Sequence, residues 1–331
     1  MVKPDHAYRK LNQFINFDEI AAELQKTYSH LGQPGIPAVR GLKALLLQFW
    51  EDYSDREMEA AVCENFAIRW FCGFSLTEKT PDHSYFGKFR KRIGTQRFAD
   101  IFNSINEKLR KEGLFGNIFF FIDASTIITK SALWEERDKA IKDGHDKLNN
   151  LVVKDYAVDK EARWGAKSKK NIWFGYKRHT AVDMRYGLIT KTTVTPANVL
   201  DYQVVEQICP KQGYIFMDKL YDTKDTDQKI KTSGCSPGTI RKNNNPMKNY
   251  DLDRWRSGMR MPYEGTFSKL PKRARYRGKT KVLFQNFGQS PVTTLKKQSN
   301  ISHNQHTAKI FLNLIQIIIE NHHVICIRRQ S

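Results

Sequence analysis

The sequence predicts an all-α N-terminal domain followed by an α/β domain in which helices flank a mixed sheet. Apolar residues recur at helical spacing as far as residue 115, and two short, dense apolar runs follow at residues 118–122 and 214–217. Such runs are typical of strands that are buried on both faces. Between them, two strand-like segments flank Gly187, which is typical of an antiparallel hairpin. Strands alternating with a hairpin and helices predict a mixed sheet.

In the N-terminal part, helices are predicted over residues 17–28, 37–50 and 55–68, where apolar residues share one face. A further helix is predicted to begin with Thr80 as its N-cap and Pro81 at its first position. Its apolar side carries Phe86, Phe89 and Ile93, and its other side carries Lys88, Arg90, Lys91 and Arg92. A basic amphipathic helix after several short helices suits a helix-turn-helix DNA-binding module. A plain helical bundle with a basic outer face is the alternative.

The first strand of the second domain is predicted to end at Asp123. Residues 131–170 are polar and mixed in charge, which indicates an insertion of helix and loop. Residues 172–182 and 188–194 then form the hairpin, and a helix is predicted over residues 201–208. The second buried strand follows and also ends in an aspartate, Asp218.

The remaining elements are a helix over residues 223–231, a short strand over residues 238–241 and a helix that begins at Pro262. This last helix would carry Glu264 in its first turn. Asp251 and Asp253 are predicted to lie in a polar loop, and Glu320 in a terminal apolar helix.

Several classes of protein are excluded by composition. No apolar run in the 331 residues reaches the roughly 18 residues that a membrane span requires. The first residues lack the apolar core of a signal peptide, and the five cysteines include no C-x-x-C pair. We therefore expect a reducing cytoplasm and no structural zinc site. Neither a Ser-His-Asp spacing nor a glycine-rich phosphate loop is present.

Positive charge is concentrated towards the C-terminus. The chain has 55 Lys or Arg and 35 Asp or Glu, which gives a net charge of +20. Residues 241–331 hold 18 basic and 4 acidic residues, so this part alone carries +14. The densest basic run consists of Lys272, Arg273, Arg275, Arg277, Lys279 and Lys281. A phosphate backbone attracts such a surface through counterion release, although one basic run can also be a solvated charged face.

Three carboxylates form a candidate metal site. Asp123 and Asp218 each follow a buried strand. In open α/β sheets, ligands bind at the carboxyl ends of the strands. Either aspartate alone can be a turn former or helix cap, but two converging carboxylates favour a shared cation. Glu264 could complete the set or could simply complement a helix dipole. Oxygen ligands without Cys or His select Mg²⁺ or Mn²⁺, and two such ions support displacement at phosphorus.

Five segments in order resemble the DDE transposases of bacterial insertion sequences, in the insertion-sequence-five family. They are SLTEKTPDHSYFGKFRKRI at Ser75, FIDAST around Asp123, WFGYKRHTAVD with GLITKTTVTPANVLD, IFMDKLYDT around Asp218, and RMPYEGTFSKLPKRARYRG around Glu264. The resemblance covers most of the chain, and five ordered matches are specific where one would be weak.

The resemblance implies a ribonuclease-H-like catalytic domain, here residues 116–288, after a DNA-binding or assembly domain at residues 1–115. Residues 289–331 would form a basic helical tail. The family implies Mg²⁺ bound by Asp123, Asp218 and Glu264, with Mn²⁺ as a substitute, and DNA cleavage and strand transfer through terminal inverted repeats. The partners would be element ends and target DNA, bound by a homodimer or larger assembly at the nucleoid. The residues expected to contact DNA are Arg260, Lys272, Arg273, Arg275, Arg277, Lys88, Arg90, Lys91 and Arg92.

Three positions depart from the family pattern. Ser257 stands where the family has tyrosine, Pro271 where it has lysine, and Leu220 replaces a small residue. Pro271 should end the helix and could displace Lys272, which is expected to hold DNA near the scissile phosphate. Two alternatives to an active transposase follow: a DNA-binding transposase relic with impaired catalysis, and a structure-selective nuclease of the same fold.

Overall fold

The N-terminal region is helical, as predicted. The computed structural model describes residues 2–28, 35–129, 150, 153, 157–168 and 171–297. Within these ranges no helix is long and apolar enough to cross a membrane. The N-terminal helices are α1 (Ala7–Phe14), α2 (Phe17–Gln25), α3 (Ala38–Trp50), α4 (Asp55–Glu64), α5 (Phe66–Cys72) and α6 (His83–Lys111).

The N-terminal helices differ from the prediction at three points. The segment from residue 55 to residue 68 forms α4 and α5 rather than one helix, because Asn65 ends α4 and caps α5 by accepting hydrogen bonds from two backbone N–H groups. The N-cap of α6 is Asp82 and not Thr80, since the Asp82 carboxylate accepts from the backbone N–H of Tyr85 at 3.0 Å. Helix α1 was not predicted.

The second region contains a six-stranded sheet. Its strands are β1 (Phe119–Ile128), β2 (Arg163–Ser168), β3 (Asn171–Asp183), β4 (Leu188–Pro196), β5 (Gly213–Met217) and β6 (Cys235–Thr239). The order is β2-β3-β1-β5-β6, with β4 also paired to β3. Strand β1 is antiparallel to β3 and parallel to β5, and β5 is parallel to β6. This mixed sheet is ribonuclease-H-like, which confirms the predicted fold class.

Strand β1 does not end at Asp123. It continues to Ile128 because β3 is long enough to pair with it, from Asp123 opposite Thr180 to Ile128 opposite Gly175. The pairing with β5 covers only the start of β1, so Asp123 still lies beyond the parallel part.

Strand β2 lies inside the segment that was predicted as helix and loop, at residues 131–170. That prediction is therefore wrong for residues 163–168, which pair with the start of β3. Most of the rest of the insertion, and Glu320 in the tail, lie outside the described residues.

The helices of the second region follow the predicted order. Two 3₁₀ helices, Asp201–Val204 and Lys219–Tyr221, come after β4 and β5. The α-helices are α7 (Val205–Ile208), α8 (Lys224–Thr232), α9 (Tyr250–Ser268) and α10, which is described over residues 279–297. The last short strand, β6, begins and ends earlier than the predicted residues 238–241.

Helix α9 begins at Tyr250, so the prediction of a helix start at Pro262 is wrong. Asn249 caps the helix by accepting from the backbone N–H of Leu252 at 3.0 Å, and Pro262 lies inside the helix. Asp251 and Asp253 therefore lie in the first turn and not in a loop. As a consequence, Glu264 belongs to the C-terminal part of α9 rather than to its first turn.

Helix α10 joins the two regions. Its residues Phe284, Val292 and Leu295 belong to the hydrophobic core of the N-terminal helices. The rings of Phe98 in α6 and Phe284 are stacked with their centroids 4.2 Å apart. The helix continues past residue 289, where the basic tail was predicted to begin. The N-terminal helices therefore pack on the same helix that covers one side of the sheet.

Gly288 allows the close approach of α10 to α3. A Cβ atom at this position would lie 2.4 Å from two ring carbons of Phe49. We predict that Gly288→Ala destabilises the fold by about 1–3 kcal/mol through overpacking, measured as a lower midpoint of urea unfolding. The matched control is Gly87→Ala in α6, whose Cβ would meet only Arg90 Nη2, at 3.9 Å. Equal stability of the two variants would contradict this packing.

Candidate active site

Asp123 and Asp218 lie side by side at the carboxyl edge of two parallel strands. The last paired residues of β1 and β5 are Phe121 and Phe216, and each aspartate follows two residues later. Neighbouring parallel strands end at the same edge, which places the two aspartates at neighbouring positions of this edge. Because like charges repel at close range, this edge favours a cation or a proton.

Asp123 is half-buried and binds a proton more tightly than an ordinary aspartate. Burial raises its pKa to about 6, against the opposing effects of a hydrogen bond from the Ala124 N–H and of the charges of Arg260 and Lys167. The negative charge of Asp201 raises the pKa further. A cation at this edge must therefore displace a proton from Asp123 at mildly acidic pH.

Arg260 lies between the carboxylates of Asp218 and Glu264. Helix α9 lies against the sheet, and the Arg260 guanidinium sits 5.0 Å from the ring centroid of Phe121. Its Nη1 atom is 3.8 Å from Asp218 Oδ1, and its Nη2 atom is 3.9 Å from Glu264 Oε1. Arg260 is only 9% exposed, so it is a buried cation among carboxylates.

Glu264 is the most open of the three predicted acids, with 61% of its side chain exposed. In the part of the chain that the structure describes, no three Asp, Glu, His or Cys side chains converge closely enough to hold one metal ion. The donor set still suits a hard divalent cation, because it consists of carboxylates without Cys or His. Asp123, Asp218 and Glu264 are the residues that the family resemblance predicts as its ligands.

The sequence analysis missed two residues at this edge. Asp201, on the turn after β4, forms an ion pair with Lys177 Nζ at 2.9 Å. Tyr221, on the turn after β5, is 1% exposed, and burial followed by the charges of nearby aspartates raises the pKa of its hydroxyl. Both residues belong to motifs that resemble the family, Asp201 to TPANVLD and Tyr221 to DKLYDT. These motifs were the sequence signal that could have identified the two residues.

Two of the predicted DNA-binding arginines are used inside the protein. Arg90 forms a bidentate pair with Asp55, at 2.8 and 2.6 Å, and hydrogen bonds from Arg90 and Gln48 lower the pKa of Asp55 although its burial raises it. Arg275 donates to the Asp52 carboxylate and to the Tyr53 carbonyl. Arg90 therefore connects α6 to α4, and Arg275 holds the N-terminal helices against the C-terminal segment.

The other predicted basic residues are exposed. The backbone of residues 272–274 is fixed to the end of β1, because Ile128 N donates to the Lys272 carbonyl at 2.7 Å and Ala274 N donates to the Ile128 carbonyl at 2.8 Å. This pairing presents Lys272 and Arg273 at the surface next to the sheet. The exposed basic residues of this segment and of α6 are Lys272, Arg273, Arg277, Lys88, Lys91 and Arg92.

The ribonuclease-H-like sheet, the strand-end carboxylates and the basic surface define a class of enzymes that act on nucleic-acid phosphodiesters. Two family models match the chain: "Transposase domain (DUF772)" over residues 1–92 and "Transposase DDE domain" over residues 115–319. The second match covers more than half of the 331 residues. The chain belongs to the DDE transposase family, whose members cleave and transfer DNA strands.

The chain is also similar to individual transposases. It is 26% identical over 231 residues to the transposase for insertion sequence element IS1106 of Neisseria meningitidis serogroup B, a match that covers 65% of this chain and 78% of the relative. The structural match is a cryo-EM structure of a piggyBac transposase synaptic complex with hairpin DNA. That match covers 92% of this chain and 75% of the other, with a TM-score of 0.41 and 8% identity.

The raised pKa of Asp123 makes stability depend on pH. Because the folded-state pKa of about 6 exceeds the ordinary value of 3.8, the folded chain binds the proton more tightly than the unfolded chain. The site therefore destabilises the fold above about pH 6 and ceases to do so as the pH falls towards 4. We predict that Asp123→Asn raises the melting temperature in EDTA at about pH 8, and raises it much less at about pH 5. The same gain at both pH values would contradict the raised pKa.

Proposed function

We propose that this transposase cuts and joins DNA at the terminal inverted repeats of its insertion sequence, with Mg²⁺ held by Asp123, Asp218 and Glu264 and with Mn²⁺ as a substitute. The observation that carries this proposal is the position of Asp123 and Asp218 at the ends of adjacent parallel strands. Glu264 is connected to Asp218 through Arg260, at 3.8 and 3.9 Å.

The protein side chains have separate tasks in this reaction. Divalent ions, when bound, activate the attacking water or 3′-hydroxyl and stabilise the leaving oxygen. Asp123 releases its proton and supplies a negative oxygen from the sheet. The exposed Glu264 side chain turns from Arg260 towards the two aspartates. Arg260 is then free to place its donors on a phosphate oxygen, which arginine binds in a bidentate manner.

DNA binding is assigned to two exposed basic surfaces. One consists of Lys272, Arg273 and Arg277 next to the sheet, and the other of Lys88, Lys91 and Arg92 on α6. We assign recognition of the element ends to residues 1–115, catalysis to residues 116–288 and a basic tail to residues 289–331. Two ends must be joined to one target, so we propose a homodimer or larger assembly on the DNA. Its substrate places the protein at the nucleoid.

A catalytically impaired DNA-binding relic is the second candidate. It is favoured by Pro271, because a rigid residue stands where the family has lysine, and α9 has already ended at Ser268. The Pro271 carbonyl accepts from the buried Arg178 Nη1 at 3.4 Å, which fixes its position. Lys272 is exposed one residue later and takes the role of the missing lysine in the active form.

Cleavage of the element's own ends tests the proposal. The purified full chain with Mg²⁺ should nick duplex DNA that carries these ends and then join them to a target plasmid. We predict that Asp123→Asn and Glu264→Gln each reduce nicking by more than about 100-fold while DNA binding persists. Loss of a residue that supports a metal ligand costs about 10- to 100-fold, and loss of the ligand itself should cost more. Asp225→Asn, which removes a carboxylate paired with Lys229 on α8, serves as the control and should cleave normally.

The same assay separates the alternatives. Tight, salt-sensitive binding of the parent protein without nicking would support the relic. Cleavage of branched DNA without joining would support the structure-selective nuclease. Normal nicking by Asp123→Asn would show that the metal site lies elsewhere.

The salt dependence of DNA binding tests the surface beside the sheet. Replacing Lys272, Arg273 and Arg277 together by Gln should weaken binding and reduce the slope of log K against log [salt] by about 3, since each phosphate contact contributes about 0.9. The control removes the same charge from α8, at Lys224, Lys229 and Lys231. If both triple variants change the slope equally, the attraction comes from net charge and not from this surface.

A further inference from the structure

Two turns meet at the carboxyl edge of the sheet. The 3₁₀ helix Asp201–Val204, which follows β4, contacts the 3₁₀ helix Lys219–Tyr221, which follows β5. The second of these helices is capped by Asp218, whose carboxylate accepts from the backbone N–H of Lys219. The contact between the turns therefore brings Asp201 to the edge that carries the strand-end aspartates.

Lys177 holds the first of these turns in place. Its Nζ atom lies 2.9 Å from Asp201 Oδ1 and donates to the Val199 carbonyl, also at 2.9 Å. The side chains of Lys177 and Asp201 are 15% and 17% exposed, so the pair is largely shielded from solvent. A shielded ion pair with a further backbone contact has a defined geometry, unlike an ion pair between two mobile surface chains.

The Tyr221 hydroxyl is buried without a hydrogen bond. Tyr221 is 1% exposed, and among the described residues its Oη atom has no hydrogen-bond partner. After burial, the negative charges of Asp123, Asp201 and Asp218 raise the pKa of this hydroxyl, and the positive charge of Arg260 lowers it. A buried hydroxyl without a partner is unfavourable and requires an explanation. The three carboxylates are hydrogen-bond acceptors, which the hydroxyl lacks.

We propose that Tyr221 and Asp201 are positioning residues for the divalent-cation site. In the loaded site the Tyr221 hydroxyl donates a hydrogen bond to an aspartate oxygen of this edge, and the Lys177–Asp201 pair holds the turn against which Tyr221 packs. Metal-binding carboxylates need such outer hydrogen bonds to keep their orientation. This inference rests on the proposed function, because it concerns the same site.

Asp201 is assigned to support rather than to direct metal binding. One of its oxygens is engaged by Lys177, whose positive charge compensates the carboxylate. Asp123, in contrast, has no basic partner within ion-pair distance among the described residues, and Asp218 meets only Arg260 Nη1, at the longer distance of 3.8 Å. Of the aspartates at this edge, Asp201 is therefore the one with the closest basic partner.

Tyr221→Phe is the sharpest test, because it removes only the hydroxyl. Since this hydroxyl has no hydrogen bond in the described chain, the melting temperature without metal should not fall. The affinity of the DNA-free full chain for Mn²⁺, measured from the electron paramagnetic resonance signal of free Mn²⁺, should fall about tenfold. Raising the Mn²⁺ concentration should restore cleavage. The control is Tyr202→Phe, a half-buried tyrosine on the neighbouring turn.

Asp201→Asn tests the other half of the inference. It leaves the Lys177 charge without its partner and should also weaken Mn²⁺ binding, whereas Asp225→Asn, in an exposed Asp–Lys pair on α8, should not. The double variant Tyr221→Phe with Asp201→Asn should lose less affinity than the product of the two single losses, because both act through one turn contact.

Three results would overturn the inference. Unchanged Mn²⁺ affinity in Tyr221→Phe would exclude the hydroxyl as a positioning donor. A fall in its melting temperature without metal would show that the hydroxyl supports the fold instead. If the parent chain itself binds no Mn²⁺, the proposed function fails together with this inference, whereas normal binding by parent and variants alike removes only the inference.

Discussion

The accumulation of carboxylates at one sheet edge is the constraint on which this structure depends. Parallel pairing of β1 and β5 places Asp123 and Asp218 at neighbouring positions of this edge, where like charges favour compensation. In the described chain, burial raises the pKa of Asp123 to about 6, and the buried cation of Arg260 lies 3.8 Å from Asp218. We propose that divalent cations supply this compensation in the metal-dependent reaction of the family.

The buried positive charge of Arg178 organises the contact between the sheet and α10. Arg178 on β3 is fully buried and is held by neutral amides of α10, with Nε donating to Asn286 Oδ1 at 2.6 Å and Nη2 to Gln289 Oε1 at 2.5 Å. Burial lowers its pKa to about 10. Its contact with the Pro271 carbonyl connects this interior network to the basic segment. The position of the exposed basic segment therefore depends on a buried arginine.

Much of the fold could be read from local patterns. The dense runs that became β1 and β5, the hairpin around Gly187 and most helices were predicted because their periodicity is a local property. Errors arose where a partner or cap decided the boundary. Asp123 lies within a strand because β3 extends beyond it, and α9 starts at Tyr250 because the Asn249 side chain outweighs the proline signal further along. A proline marks a helix start only when nothing upstream has already begun the helix.

Ordered motifs and strand-end aspartates can be recognised along the chain, so the amino-acid sequence was enough to identify the family, the ribonuclease-H-like fold class and the candidate acids. Which charges remain available depends on contacts that form only in the folded protein. Arg90 and Arg275 look like DNA contacts in the sequence, yet each meets an aspartate distant in the chain, at Asp55 and Asp52. The proximity of Asp201 and Tyr221 to the strand-end aspartates arises in the same way. A side chain's partner depends on packing between distant segments, and periodicity in sequence carries no information about that packing.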